Sequence, residues 1–271
     1  GKEQDKEKVE EIENLGAKFL VLSNPEDYLT SEFDLVVKNP GVPLDHPVCQ
    51  KAEKLGIKII NEMELGFNLL PKNVTVIGIT GSNGKTTTST LIYKILEKGE
   101  RKVHLGGNIG IPFVSMIKDI KENDILVLEI SAQQIHNFEN FKPNIGIITN
   151  ITPTHLDFFK TFENYKQDKI NLLKNQTEND IAIINSNDKE SEDIKTNGKI
   201  MKISLDKKED IYLENNYIVY KDEKIINTND IFIKGNHNIQ NAMCAITVAK
   251  LLNIDNKFIF DVLSTFGGVE H

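Results

Sequence analysis

The spacing of apolar and polar positions divides the chain into alternating helical and extended segments. Residues 3–15 carry a charged, helix-spaced pattern, and AKFLVL (17–22) and the apolar run at 35–37 read as strands, the second stopped by Asn39-Pro40-Gly41. A helix over 47–55 ends at Gly56 and leads into a short strand, IKII (57–60). After Pro71 the run VTVIGIT (74–80) has the unbroken apolar character of a buried strand, and a helix is predicted over 86–98, stopped by Gly99. Further strands are predicted at ILVLEI (125–130), IGIIT (145–149) and IAII (181–184), and helices over 162–174, 238–252 and 256–265. Between 199 and 234, short runs such as YIVY and IFI predict an antiparallel edge. Strands alternating with helices predict an α/β fold, a mostly parallel sheet flanked by helices, preceded by part of a Rossmann-like α/β unit. That first unit opens in mid-pattern, since the strand and glycine-rich turn that start such a unit have no counterpart before residue 3.

Composition narrows the function classes. A chain of 271 residues with 39% hydrophobic content buries a large core and is expected to form more than one domain. Its formal charge of −8 argues against a surface that neutralises nucleic-acid phosphates, so no nucleic-acid partner is expected. No run approaches the length of a membrane span, and the first ten residues are too polar for a signal-peptide core, so a cytoplasmic protein without a membrane partner is expected. Cys49 and Cys244 stand far apart with no CxxC pairing and read as core thiols rather than a disulfide or zinc site.

Anion chemistry is instead concentrated in one loop. Gly81-Ser82-Asn83-Gly84-Lys85-Thr86-Thr87 lies between a buried strand and a helix, where exposed N–H groups and the helix dipole favour phosphate. Gly81 and Gly84 let the backbone close around an anion, Lys85 can reach β and γ phosphates, and the Thr86 hydroxyl can ligate Mg²⁺. The strict GxxxxGK[ST] spacing is not met, because position 79 is Ile.

TGSNGKTTT resembles the ATP loop of the Mur ligase and folylpolyglutamate synthase superfamily. Asn39-Pro40-Gly41-Val42-Pro43, Gly106-Gly107-Asn108-Ile109-Gly110 with Pro112, Glu129-Ile130-Ser131, TNITPTHLD (149–157) and GNHNIQN (235–241) follow in the superfamily's order. The combination is most similar to the branch that adds D-glutamate to UDP-N-acetylmuramoyl-L-alanine. The resemblance implies ATP and two Mg²⁺ ions, a UDP-linked muramyl precursor and an amino acid as partners, and nucleotide binding by residues 81–87 with Asn238 and Asn241.

It also implies metal ligation by Thr86, Glu129, His155 and Lys169, with Lys85, Lys169 and His155 catalytic. Lys169 would be carbamylated by CO₂, turning a cation into an anionic support for the second metal. Asn108 and Ser131 resemble positions that meet the muramyl-peptide or the metal cluster. From the residues alone, Glu129 also fits a buried structural carboxylate, His155 a loop histidine and Lys169 a solvated helix lysine. The Asn108/Ser131 and Asn238/Asn241 pairs also fit helix caps. Phe162, Tyr165, Lys169, Ile170 and Leu173 share one helical stripe, which turns Lys169 toward an apolar or ligand-filled side. His46, His104 and His136 match no family role and read as surface or packing residues.

The sequence departs from the superfamily at Ala132-Gln133, where an aromatic is usual in that segment. Residues 1–70 are expected to be the remaining part of a UDP-substrate domain, 71–267 the central ATP-binding domain and 268–271 a stub of the hinge to a further domain. The function expected is an ATP-dependent amide ligase working through an acyl phosphate, incomplete for turnover as this fragment. Alternatives are another Mur or folylpolyglutamate-type ligase, a P-loop kinase or GTPase, and a non-catalytic nucleotide-binding scaffold. A GTPase would carry an NKxD motif, whereas Asn256-Lys257 continues as Phe258-Ile259.

Overall fold

The computed structural model describes residues 6–136, 138–154 and 156–269. The chain divides into two compact units, one formed by Gly1–Val36 with Val42–Ile59 and the other by Val37–Gly41 with Ile60–His271. Elements α1 (Lys6–Asn14), α2 (Pro25–Tyr28), β1 (Leu35–Lys38), α3 (Pro47–Lys54) and β2 (Lys58–Asn61) come first, with β1 and β2 paired in a two-stranded sheet. The first unit has a small core of Leu29, Ala52 and Ile57, with Val36, Val48, Leu55 and Ile59 packed against it. His46 caps α3 by accepting a hydrogen bond from the Val48 N–H at 3.3 Å.

AKFLVL is not a strand. The chain leaves α1 through Gly16 at φ +88° and runs as coil, with Val21 77% exposed. Apolar content alone does not make a strand without a neighbour to complete its ladder, and the described residues offer none.

The second unit continues with α4 (Glu62–Asn68), β3 (Thr75–Thr80), α5 (Lys85–Lys98), β4 (Val103–Gly107), α6 (Phe113–Met116), β5 (Ile125–Glu129), α7 (Ala132–Ile135) and β6 (Ile145–Ile148). Then come α8 (Leu156–Phe159), α9 (Phe162–Ile170), β7 (Ile181–Asn185), β8 (Lys199–Ser204), β9 (Ile211–Glu214), β10 (Tyr217–Tyr220), β11 (Glu223–Asn227), α10 (Asn236–Leu251) and α11 (Asn256–Thr265). Its nine strands form one sheet in the order β11-β10-β9-β8-β7-β6-β3-β5-β4, parallel from β4 through to β9 and antiparallel from β9 to β11. The mostly parallel sheet flanked by helices is therefore present. The antiparallel edge is narrower than the sequence suggests, because β8 continues the parallel order.

Both faces of the central strands are covered, which is why they read as continuous apolar runs. Ile77, Ile79, Val127 and Ile147 point into the core shared with α5, α10 and α11, while Val76, Leu126, Leu128 and Ile148 point into the opposite core with Phe113, Phe141, Tyr165 and Leu172. The predicted run IFI (231–233) is not a strand: Ile231 is a core anchor, Phe232 is 59% exposed, and the Phe232 N–H donates to the Leu263 carbonyl at 2.9 Å. The helix predicted to 174 stops at Ile170 and tightens into a 3₁₀ turn over Asn171–Leu173. The edge strand β4 and the helix α4 have no counterpart in the sequence reading, since VHLGG and EMELGFN carry no sustained period, and neither have the one-turn helices α2, α6, α7 and α8. No helix among the described residues is long and apolar enough to cross a membrane.

Candidate active site

The loop after β3, the strand between β5 and β6, meets the carboxyl ends of β4, β5 and β6, the edge at which open α/β sheets bind ligands. Gly84 sits at φ 81° as the N-cap of α5, and a Cβ there would strike the carboxamide of Asn241 on α10. A Cβ on Gly81 would strike the Thr149 hydroxyl, so both positions require glycine. The loop is stitched to the segment after β6. The Ser82 N–H donates to the Asn150 carbonyl at 2.9 Å, the Asn83 N–H to Asn150 Oδ1 at 3.0 Å, and Thr149 Oγ1 donates to the Asn83 carbonyl at 2.6 Å. Ser82 Oγ accepts from the Thr152 N–H at 2.9 Å and lies 2.9 Å from the Tyr165 hydroxyl.

Two lysines converge beneath this loop. Lys85, the first residue of α5, donates from Nζ to the carbonyls of Gly81 at 3.0 Å and Ser82 at 3.3 Å. Lys169 reaches the same Gly81 carbonyl at 2.9 Å from α9, with its Nζ 4.6 Å from the centre of the Tyr165 ring. Lys169 is only 2% exposed, so the solvated-lysine reading fails and the stripe with Tyr165 and Leu173 holds. Burial, reinforced by the charge of Lys85, pulls the Lys169 amine down to about 7. Burial lowers Lys85 as well, while Glu129 opposes it.

Glu129 ends β5 at 3% exposure, where a carboxylate needs partners. It accepts from Thr86 Oγ1 and Asn108 Nδ2, each at 2.8 Å. Among the described residues no three or more His, Cys, Asp or Glu gather as a metal site. A divalent cation here would draw on the Thr86 hydroxyl, Glu129 and the oxygens of bound phosphate. Such an all-oxygen set suits Mg²⁺, which keeps waters and needs few protein ligands. His155 lies outside the described residues.

A cavity of about 840 Å³ opens against these groups, lined among others by Lys38, Glu62, Lys85, Asn108, Ser131 and Lys169. A second, of about 370 Å³, is lined by Asn83, Gly84, His237, Gln240, Asn241 and Cys244. The loop of residues 81–87 thus contributes to both. Of the expected caps, Ser131 is one: it heads α7 in a reciprocal capping box with Gln134 while also lining the larger cavity. Asn238 and Asn241 are not, since Gly235 is the N-cap of α10; Asn238 donates to the Lys234 carbonyl at 2.9 Å and Asn241 Oδ1 accepts from Thr88 Oγ1 at 3.2 Å. His104 pairs with Asp124 at 2.7 Å and His136 with Asp168 at 2.6 Å. Lys38, Glu62, Asn150 and Tyr165 belong to the site or its frame without having been singled out for it in the sequence. Tyr165 carried a signal in its place on the stripe of Lys169 and Asn150 in its place within TNITPTHLD, whereas Lys38 and Glu62 carried none.

Residues 79–249 match the Mur ligase middle domain. The chain is 40% identical to the UDP-N-acetylmuramoylalanine–D-glutamate ligase of Geobacillus sp. (strain WCH70) across 99% of its own length and 60% of that protein. It is 39% identical to the Streptococcus mutans ligase of the same name across 94% of its length and 57% of the relative. The chain therefore spans somewhat under two thirds of these relatives. Among solved structures it resembles a UDP-N-acetylmuramate:L-alanyl-γ-D-glutamyl-meso-diaminopimelate ligase from Neisseria meningitides, with a TM-score of 0.66 at 14% identity over 99% of this chain and 90% of that one. It also resembles a MurF ligase from Thermotoga maritima in complex with ADP, with a TM-score of 0.59 at 21% identity over 87% of this chain and 63% of that one. These likenesses establish the fold. With the middle-domain match running from the end of β3 into α10, across residues 81–87 and Glu129, the chain belongs to the Mur ligase family.

Proposed function

We propose that this chain provides the nucleotide-binding centre of an ATP-dependent amide ligase that adds D-glutamate to UDP-N-acetylmuramoyl-L-alanine in peptidoglycan precursor synthesis. The observation that carries the reading is the convergence of Lys85 and Lys169 on the Gly81 carbonyl, beside the Thr86–Glu129 pair and open to the larger cavity. The relatives of the same printed name support the D-glutamate assignment over other members of the family.

In this reading residues 81–87 hold the phosphates of ATP and Asn238 and Asn241 border the nucleotide, the smaller cavity taking its base end. Thr86 and Glu129 would hold Mg²⁺, and Lys169 with His155 would support a second ion; such cations would supply offsetting charge for the phosphates. An acceptor carboxylate placed by Asn108 and Ser131 attacks the γ-phosphorus, the bond to the β,γ-bridging oxygen breaks, and ADP leaves. The amine of the amino acid then attacks the acyl carbon, inorganic phosphate departs, and the amine proton passes to solvent. Lys85 stabilises the charge on the transferring group. This chemistry needs positioned charge rather than a protein nucleophile.

Lys169 is suited to carbamylation, because a neutral amine attacks the carbon of CO₂ and releases one proton, and its amine is held at about 7. Residues 1–70 belong to the UDP-substrate domain and 71–267 to the ATP-binding domain of a cytoplasmic, monomeric enzyme. The test is ATP-dependent phosphate release by the full-length protein, given UDP-N-acetylmuramoyl-L-alanine and one amino acid at a time. Release with D-glutamate alone supports the proposal; release with another amino acid transfers the chain to another branch, and none at all favours a nucleotide-binding scaffold.

A further inference from the structure

The polar residues of α4 take no part in the chemistry above, yet they hold both segments that carry the expected acceptor contacts. Glu64 is fully buried, and its carboxylate accepts three successive backbone N–H groups, from Glu139 at 3.1 Å, Asn140 at 2.7 Å and Phe141 at 3.1 Å. Asn61, also fully buried, caps α4 by accepting from the Glu64 N–H at 3.0 Å and donates its Nδ2 to the Gln134 carbonyl. Gln134 is the residue that closes the capping box on Ser131.

Glu62 works on the other wall. Its Oε1 accepts from the Val114 N–H at 2.7 Å, fixing the start of α6 just beyond the Asn108–Pro112 turn. Gly66 on the same helix lies so close to Phe113 that a Cβ would stand 2.7 Å from that ring. The phosphate loop, by contrast, is secured by Thr149, Asn150 and Thr152, none of them bonded to α4 in these contacts.

We propose that Asn61, Glu62 and Glu64 are positioning residues for the acceptor half of the larger cavity: they fix the Asn108–Val114 and Ser131–Phe141 segments and so govern acceptor binding while leaving nucleotide binding unchanged. The assignment of these segments to the acceptor rests on the function proposed above. A carboxylate that satisfies several buried N–H groups is costly to replace, because the orphaned donors keep their desolvation penalty. The effect is therefore expected to be local and large.

The experiment compares Glu62→Ala, Glu64→Gln and wild-type full-length protein by MgATP affinity, KM for UDP-N-acetylmuramoyl-L-alanine, and amide hydrogen exchange. Expected are a rise in acceptor KM of about tenfold or more, an MgATP affinity within about twofold of wild type, and faster exchange confined to residues 108–114 and 131–141. Glu62→Gln keeps an oxygen acceptor for Val114 and should restore much of the acceptor KM. Equal loss of nucleotide and acceptor affinity, or accelerated exchange that spreads to residues 81–87, overturns the proposal, as does an unchanged acceptor KM in folded variants. If the wild type does not turn over this acceptor, the functional reading fails by itself, and the exchange pattern with the MgATP affinity still decides whether α4 frames these segments.

Discussion

The side chains of Lys85 and Lys169 share one acceptor, the carbonyl of Gly81, at 3.0 and 2.9 Å. Two ammonium groups on one carbonyl repel, and the more deeply buried of them yields its proton more readily. Burial lowers both lysines, and the charge of Lys85 lowers Lys169 further, to about 7.

The linkage for Lys169 has a definite sign. Its ordinary value is 10.5 and its folded value about 7, so between those pH values the unfolded chain binds more protons and stability rises with pH. Well below pH 7 the penalty for burying the charge is present in full, and it is already falling at pH 7. Lys169→Met should therefore raise stability by on the order of 4 kcal/mol at pH 6, and the gain should shrink steadily toward pH 10. Denaturant unfolding of both forms across this range checks it; a gain independent of pH refutes the assignment.

Lys169 should also take up CO₂. Lys169→Arg should abolish turnover, since a guanidinium does not form a carbamate. Isotopically labelled bicarbonate should give one bound carbamate signal in the wild type, absent from the variant.

The Thr86–Glu129 pair predicts a metal-specific lesion. Glu129→Gln should lower the affinity for MgATP by about a hundredfold while changing that for metal-free ATP by less than about threefold. Calorimetric titration with and without Mg²⁺ separates the two. Parallel losses would mean that Glu129 serves the fold of the loop alone.

Gly84→Ala should be severe for its size. The new Cβ meets the Asn241 carboxamide, and the residue must hold φ 81° as well. A loss of about 1–3 kcal/mol of stability is expected, together with a weakened nucleotide affinity. Thermal melts and fluorescent-nucleotide titration measure the pair.

Tyr165→Phe keeps the ring beside Lys169 and removes the hydroxyl that meets Ser82. The cost should be about 0.5–1.5 kcal/mol, seen as a several-fold rise in the KM for ATP with CO₂ uptake retained. Tyr165→Leu should impair both. Measuring KM and labelled CO₂ uptake in the two variants distinguishes the hydroxyl from the ring.

Much of this protein was legible from local chemistry. VTVIGIT followed by GSNGKTT contains its own strand, turn and helix start, because glycine freedom and helix-end N–H groups act over a few residues. The same holds for Glu129 at the end of an apolar strand, where an unpartnered carboxylate is costly. Tertiary structure decided what depends on long-range pairing. AKFLVL failed as a strand for want of a ladder partner, and VHLGG became one because β5 supplied a partner for it. Lys169 meets Gly81 across 88 positions, Glu64 meets Phe141 across 77, and Thr88 meets Asn241 across 153. No local period encodes such contacts. They arise when helices pack on a parallel sheet, and that packing gives otherwise ordinary polar residues their roles.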